Sequence, residues 1–177
     1  MVLKPQDLLV ALLLAVRSKE RWSFPAIARA TGLSLSEAHG ALRRAARARL
    51  VGPDPSGSGV VVPLRENLLE FLVHGARYAF PPERGGVTRG VPTAHSAPVL
   101  AKKFARTGEA PWVWPSAEGK VRGESFSPLY RSAPQAALGD SKLYDALALV
   151  DAVRGGAARE RELGAAMLTG LIMDPER

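Results

Sequence analysis

Apolar residues recur through the first fifty positions with the spacing of α-helices. Leu8, Leu12 and Val16 are four residues apart, so they share one face of a mostly buried helix. Ser23 is suited to cap a second, shorter helix, which is predicted to stop at Gly32. The pattern as a whole predicts three helices, over residues 4–18, 23–32 and 34–49.

The third predicted helix has two chemically different faces. Ser34 and Glu37 match the capping box, in which serine accepts the amide of the third helical residue and the glutamate reaches back. On a helical projection, the predicted core side consists of Leu35, Ala38, Leu42 and Ala45. The predicted exposed side consists of Ser36, Gly40, Arg43 and Arg47, with His39 beside them.

Two short β-prone runs follow the third helix. Leu50–Val51 and Val60–Val62 flank a stretch of glycine, proline and serine over residues 52–59. Such a stretch is typical of a turn. The sequence therefore predicts a two-stranded ribbon directly after the three helices.

The second half is less regular until its end. A helix is predicted over residues 64–74 with Gly75 as its stop, and residues 77–132 are dense in proline and glycine. Inside this stretch we predict a short helix over 98–105 with Ser96 as cap, and strands over 112–114 and 121–126. Two helices, from residue 140 to Gly155–Gly156 and from 157 to 172, are predicted to form an antiparallel hairpin. The predicted fold is mainly α (α+β), with regions 1–64 and 65–177.

Charge is concentrated in the first region. Residues 1–64 contain 9 Lys/Arg and 4 Asp/Glu, a net charge of +5, whereas residues 65–177 have a net charge of +2. Basic character is the expected footprint of a phosphate-backbone partner, although an arginine-rich proteome gives the same excess.

The chain is expected to be a soluble cytoplasmic protein without a membrane partner. It contains no cysteine, which excludes disulfides and fits a reducing compartment. The apolar run from Leu8 to Val16 is too short to span a bilayer. The basic residues that follow this run do not match a signal-peptide cleavage site.

The stretch Ile27-Ala28-Arg29-Ala30-Thr31-Gly32-Leu33-Ser34-Leu35-Ser36-Glu37 resembles a known family. It is similar to the winged helix-turn-helix regulators, closest to the MarR, IclR and ArsR-like group, and the resemblance covers residues 5–63. It implies that the third helix lies in the major groove of double-stranded DNA. The residues that it implies for DNA binding are Ser34, Ser36, Glu37, His39, Arg43, Arg44 and Arg47.

The resemblance assigns these residues different roles. Ser36, Glu37 and His39 would approach base edges, and Arg43 would pair with a guanine or a phosphate. Arg44, Arg47 and Arg49 would contact phosphates, unless the arginines form an ordinary solvated helix face. The sequence departs from the family at Gly40, where a polar reader is common. It also departs at the wing tip, which lacks Lys and Arg and would have to use serine hydroxyls or backbone amides.

No catalytic, cofactor or metal site is expected. His39, His74 and His95 lack metal-ligand spacing, and the glycine-rich run 85–90 matches no nucleotide-binding motif. That run is predicted to be a flexible turn or an anion-binding nest. The aromatic residues of the second half are predicted to form its core or to line an effector pocket: Trp112, Trp114, Phe126 and Tyr130.

The function expected from the sequence is transcriptional regulation, most simply repression, by a DNA-binding homodimer. The apolar stripes of the two terminal helices must be covered by the chain itself, by a second copy or by a partner protein. One alternative is an antitoxin that holds a partner through its C-terminal half and represses its own operon. Another is a nucleoid protein that binds DNA without sequence preference.

Overall fold

Three helices and a β-hairpin form the first part of the fold. The computed structural model of the protein describes residues 2–58, 60–104 and 110–175. The helices and strands are α1 (Pro5–Val16), α2 (Phe24–Thr31), α3 (Leu35–Arg47), β1 (Val51–Pro53) and β2 (Val61–Pro63). The two strands pair antiparallel. The three helices and the ribbon predicted from the sequence are therefore confirmed as secondary structure.

Side-chain and glycine caps fix the ends of α2 and the start of α3. The Ser23 side chain accepts a hydrogen bond from the Ala26 amide at 3.3 Å, and Gly32 ends α2 with a left-handed φ of 68°. The Ser34 amide donates to Glu37 Oε2 at 2.8 Å, while the Glu37 amide donates to Ser34 Oγ at 3.2 Å. The predicted capping box is thus confirmed, and α2 and α3 are separated by a short, rigid turn.

A helical segment with a π turn follows the hairpin. It consists of α4 (Arg65–Glu70), a π turn (Phe71–Gly75) and α5 (Ala76–Ala79). The predicted stop at Gly75 is wrong, because the buried positions Leu68, Leu72 and Ala76 continue the same stripe past it. A Cβ at Gly75 would lie 3.1 Å from the Phe71 ring, so glycine here serves close packing inside the helix.

A closed three-stranded sheet occupies the stretch predicted to be irregular. It contains β3 (Arg84–Pro92), β4 (Trp112–Pro115) and β5 (Val121–Phe126). β3 pairs antiparallel with both of the others, which pair parallel with each other. The strands predicted over 112–114 and 121–126 are confirmed. The flexible turn or anion nest predicted over 85–90 is wrong, because those residues form a strand.

The glycines of this sheet allow its strands to approach closely. A Cβ at Gly90 would lie 2.0 Å from the Trp114 carbonyl oxygen, and one at Gly123 would lie 2.1 Å from the Pro111 carbonyl oxygen. Any larger residue would force these backbones apart. The glycine density that suggested a loop therefore reflects tight strand packing.

A short helical stretch connects β3 and β4. It comprises a 3₁₀ turn (Ala94–Ser96) and α6 (Pro98–Ala101). The Ser96 cap predicted for this helix is wrong, since Ser96 Oγ instead accepts the Trp112 amide at 2.9 Å. The predicted end of the helix, Ala105, lies outside the described residues.

Three helices complete the fold, with the longer pair at its end. They are α7 (Ala133–Gly139), α8 (Ser141–Gly155) and α9 (Ala158–Met173), so the two predicted terminal helices are confirmed. α8 packs against α1, α5, α6, α7 and α9. Its apolar residues are buried within the chain: Leu143, Leu147, Leu149, Val150 and Val153. The stripe of α8 is therefore covered by its own chain and is not available to a second copy.

One hydrophobic core extends across both predicted regions. Polar contacts also join them: Arg17 donates to both carboxylate oxygens of Asp140 at 2.8 and 2.9 Å. Arg65 donates to the carbonyls of Ala15 and Ile172, near the C-terminal ends of α1 and α9. Within the described residues, no helix is long and apolar enough to cross a membrane.

A buried polar cluster links α8 to the sheet. The Asp151 carboxylate, which is fully buried, accepts hydrogen bonds from Trp114 Nε1 at 2.5 Å and from Thr93 Oγ1 at 2.9 Å. Arg154 Nη1 donates to its other oxygen at 2.5 Å. Trp112, Trp114 and Phe126 are buried around this region, so they form core rather than an effector pocket.

Candidate nucleic-acid interface

The exposed face of α3 is the main candidate for a functional surface. Four of the predicted contact residues are exposed on it: Ser36, His39, Arg43 and Arg47. The opposite face is buried through Ala38, Leu42 and Ala45, as the helical projection predicts. Leu35 was expected in this core but is 56% exposed, because it lies in the first turn beside Phe24 and Pro25 rather than over the core.

Glu37 is hydrogen-bonded as a helix cap and is not free on this exposed face. Its Oε2 accepts the Ser34 amide at 2.8 Å, and its Oε1 accepts the Tyr130 hydroxyl at 3.2 Å. Hydrogen bonds from the backbone and side chain of Ser34 lower the pKa of Glu37, with further contributions from Tyr130 and the charge of Arg131. The carboxylate is thus ionised and occupied as a helix cap. This geometry corrects the expectation that Glu37 is free to approach base edges, and it occupies Ser34, which the resemblance implied for DNA binding, in the cap.

Arg44 is anchored to the core instead of being free for a phosphate. Its Nε and Nη2 atoms donate to the Asp7 carboxylate at distances from 2.7 to 3.0 Å. Asp7 is fully buried, and only 16% of the Arg44 side chain is exposed. This ion pair fixes α3 against the start of α1 and removes Arg44 from the candidate contacts.

Gly40 gives the Arg44 side chain its path to Asp7. A Cβ at Gly40 would lie 3.1 Å from Arg44 Nη1, tighter than an ordinary contact. A polar base reader at this position would therefore crowd the guanidinium. The small residue at position 40 therefore leaves room for the Asp7–Arg44 pair.

Arg49 occupies a backbone conformation that favours glycine. Its φ is +57°, and its carbonyl accepts the Asn67 side-chain amide at 2.9 Å. The backbone of a residue that has a Cβ atom and a long side chain is strained in this left-handed region. The Arg49 side chain is exposed just beyond the C-terminal end of α3, two residues after Arg47.

The tip of the β-hairpin is acidic and internally bonded. Asp54 accepts the Ser56 amide at 3.1 Å and the hydroxyls of Ser56 and Ser58 at 2.6 and 2.7 Å. These bonds lower the pKa of Asp54 to about 2. The hydroxyls of Ser56 and Ser58, candidates for a contact between the wing and DNA, therefore already donate to Asp54 within the tip. The Asp54 carboxylate also repels a phosphate. Gly59, also in the predicted tip, lies outside the described residues.

The side of α3 nearest α2 is apolar. The His39 ring lies 4.9 Å from the Phe24 ring, and Leu35 is exposed beside them. Elsewhere, a cleft of about 480 Å³ lies between α1, the start of α2 and β2, with Trp22, Ile27 and Val61 in its walls. Among the described residues, neither this cleft nor the apolar side of α3 contains a cluster of charged groups.

The remaining histidines lie in other elements of the fold. His74 is exposed in the π turn. His95 is buried against Trp112, with its ring centroid 4.5 Å from that of the indole and Nδ1 3.5 Å from Glu160 Oε1. Within residues 2–58, 60–104 and 110–175, no three histidine, aspartate or glutamate side chains are grouped as metal ligands.

Comparison of the chain with protein-family models, with curated proteins and with solved structures finds no match. Function must therefore be inferred from the chain's own geometry.

Proposed function

We propose that this protein is a winged helix-turn-helix regulator that binds double-stranded DNA through α3. The observation that carries the proposal is one exposed helix face bearing Ser36, Arg43 and Arg47, opposite a buried apolar face. The capped turn and the Asp7–Arg44 pair hold this helix rigidly. Such a helix meets the requirement for entry into a major groove.

The charge pattern of α3 favours DNA over a solvated surface. Glu37 is the only acidic residue in residues 35–47, and it is occupied as a cap. Solvated helices usually alternate charges of both signs, so that arginines have partners four residues away. Here Arg43 is preceded at that spacing by His39 and followed by Arg47. The backbone of Arg49 supports the same conclusion. Glycine would relieve the strain of its left-handed conformation, so the presence of arginine here is explained by its charge.

Within this proposal the residues have separate tasks. Ser36 and His39, in the first half of α3, and Arg43, one turn before Arg47, read base edges. Arg47 and Arg49, at its C-terminal end, bind phosphates. The hairpin tip does not approach the backbone, because Asp54 keeps it acidic. We propose repression as the regulatory outcome, through occupation of a promoter by the bound protein.

The proposal predicts tight, salt-dependent binding by the full chain. A duplex recovered by selection from random sequences is titrated at several salt concentrations. Two phosphate contacts per protomer release their counterions, so log affinity is expected to fall against log salt with a slope of about −2 or steeper.

Arg43→Ala is expected to cost about 1–3 kcal/mol of binding free energy and to relax the preference at one base pair, whereas Arg47→Ala is expected to weaken binding to all sequences alike.

Arg89→Ala is the matched control, since Arg89 is exposed in β3 and has no ion pair among the described residues. It should leave both affinity and preference unchanged. Binding that is insensitive to salt, or that no α3 variant weakens more than this control, contradicts the proposal. Salt-dependent binding with no selected sequence would instead identify a non-specific DNA-binding protein.

We further propose that two copies assemble through the outer face of α9. Residues 163–173 contain no charged side chain, yet Ala166, Gly170 and Met173 are exposed at the spacing of one helix face. For both copies of α3 to enter successive major grooves, a two-fold dimer through this face has to place them about 34 Å apart.

Sedimentation of the full chain is expected to give a dimer, and Gly170→Glu is expected to give a monomer. A Cβ at Gly170 meets no atom within 4 Å, so the substitution leaves the protomer's own packing intact. Gly139→Glu is the matched control, because a Cβ at Gly139 is equally open at the end of α7. A monomeric wild-type chain, or equal behaviour of the two variants, contradicts dimerisation through α9.

A further inference from the structure

The second half of the chain is fixed to the turn between α2 and α3 by one short loop. This loop, residues 127–132, connects β5 to α7. Ser132 Oγ donates to the Thr31 carbonyl at 2.6 Å, at the end of α2. A Cβ at Gly32 would lie 3.0 Å from the Ser132 Cβ, so the two segments are in tight contact. The Tyr130 hydroxyl forms the second anchor by donating to Glu37 Oε1 at 3.2 Å.

Arg131 projects from between these two anchors. Its side chain is 79% exposed, and its Nη2 atom lies 3.5 Å from Glu37 Oε1. That distance is the outer limit of a hydrogen bond, and the same oxygen already accepts the Tyr130 hydroxyl. The ion pair is therefore weak and exposed to solvent, whereas the backbone that carries Arg131 is well fixed.

The position of Arg131 complements the charges of α3. Glu37 and Arg44 are seven residues apart, so they lie on one flank of the helix, next to the exposed face. On this flank the Arg44 guanidinium is already paired with Asp7, and α3 itself has no exposed cationic side chain there. Arg131, beside Glu37, places a guanidinium on this flank from a distant part of the sequence.

We infer that Arg131 binds a phosphate of the DNA strand that borders the groove occupied by α3. The inference rests on the proposed function and adds to it that the second half of the chain forms part of the DNA interface. An arriving phosphate replaces Glu37 as the partner of Arg131. Glu37 retains its bonds from Ser34 and Tyr130, so the cap of α3 is preserved.

The test compares full-length Arg131→Ala with the wild type in the same salt titration. Loss of one phosphate contact per protomer is expected to make the log–log salt slope shallower by about 1 for each bound protomer. It should lower affinity about eightfold for each bound protomer at 0.1 M salt, with sequence preference unchanged. Arg131→Lys keeps the charge and is expected to restore the slope. Arg122→Ala is the matched control, an exposed arginine of the second half without an ion pair among the described residues.

The possible results separate this inference from the proposed function. If the wild type binds with salt-dependent affinity and Arg131→Ala behaves like Arg122→Ala, the inference is overturned and the proposed function stands. If Arg131→Ala changes the preferred sequence, the phosphate assignment is overturned in favour of base contact. If the wild type binds no duplex, both the proposed function and the Arg131 inference are overturned.

Discussion

Asp7→Ala is expected to lower the free energy of unfolding by about 3–5 kcal/mol. The Asp7 carboxylate is fully buried and accepts the Lys4 amide at 2.8 Å as well as the Arg44 guanidinium. Its loss leaves the Arg44 guanidinium, on a side chain that is only 16% exposed, without a counter-charge, and it removes the acceptor of the Lys4 amide at the start of α1. Denaturant unfolding followed by circular dichroism measures the change.

The double variant Asp7→Ala/Arg44→Met distinguishes the ion pair from simple loss of packing. Removing both charges is expected to be less destabilising than the sum of the two single substitutions, because no unpaired buried charge remains. Arg43→Ala, one residue away and exposed, should change stability by no more than about 0.5 kcal/mol. A loss below about 1 kcal/mol for Asp7→Ala, or strict additivity, would contradict this role.

The other large effect is expected at Asp151, in the buried cluster between α8 and the sheet. Asp151→Ala leaves the Arg154 guanidinium without its carboxylate, which costs about 3–5 kcal/mol. The indole of Trp114 and the hydroxyl of Thr93 also lose their acceptor, for about 1 kcal/mol or more each. We expect a large loss of unfolding free energy, measured by tryptophan fluorescence and circular dichroism.

Because one core joins both halves, the two signals should report a single transition for Asp151→Ala. Glu118→Ala, an exposed carboxylate in the same half, is the control and should leave stability nearly unchanged. A tryptophan signal that melts well before the helical signal would show that the sheet unfolds independently of α1–α3.

Local chemistry made the first sixty residues predictable. The Ser34–Glu37 box and the left-handed Gly32 act within three or four residues, so the sequence shows both donor and acceptor side by side. The burial of Ala38, Leu42 and Ala45 follows from periodicity alone. Regular elements with such signals require no knowledge of the remainder of the chain.

The errors arose where the deciding partner is distant in sequence. Arg43 and Arg44 are chemically identical neighbours, and only Asp7, thirty-seven residues away, separates their roles. Gly90 suggested a loop because the Trp114 carbonyl that requires a glycine there lies on another strand. The sequence around Arg131 does not indicate that this residue lies beside α3, since its neighbour in space, Glu37, is ninety-four residues away. Composition and spacing do not contain these pairings.

The burial of α1 has a consequence for how the chain folds as it is synthesised. Residues Asp7 to Val16 are buried, and α3, α8 and α9 all contact this helix. About 125 residues separate α1 from the start of α8, which a ribosome adds in roughly 6–25 s. Through that interval α1 is covered only by elements of the first 63 residues and lacks the cover that α8 and α9 provide, so chaperone binding at α1 is expected until α8 emerges.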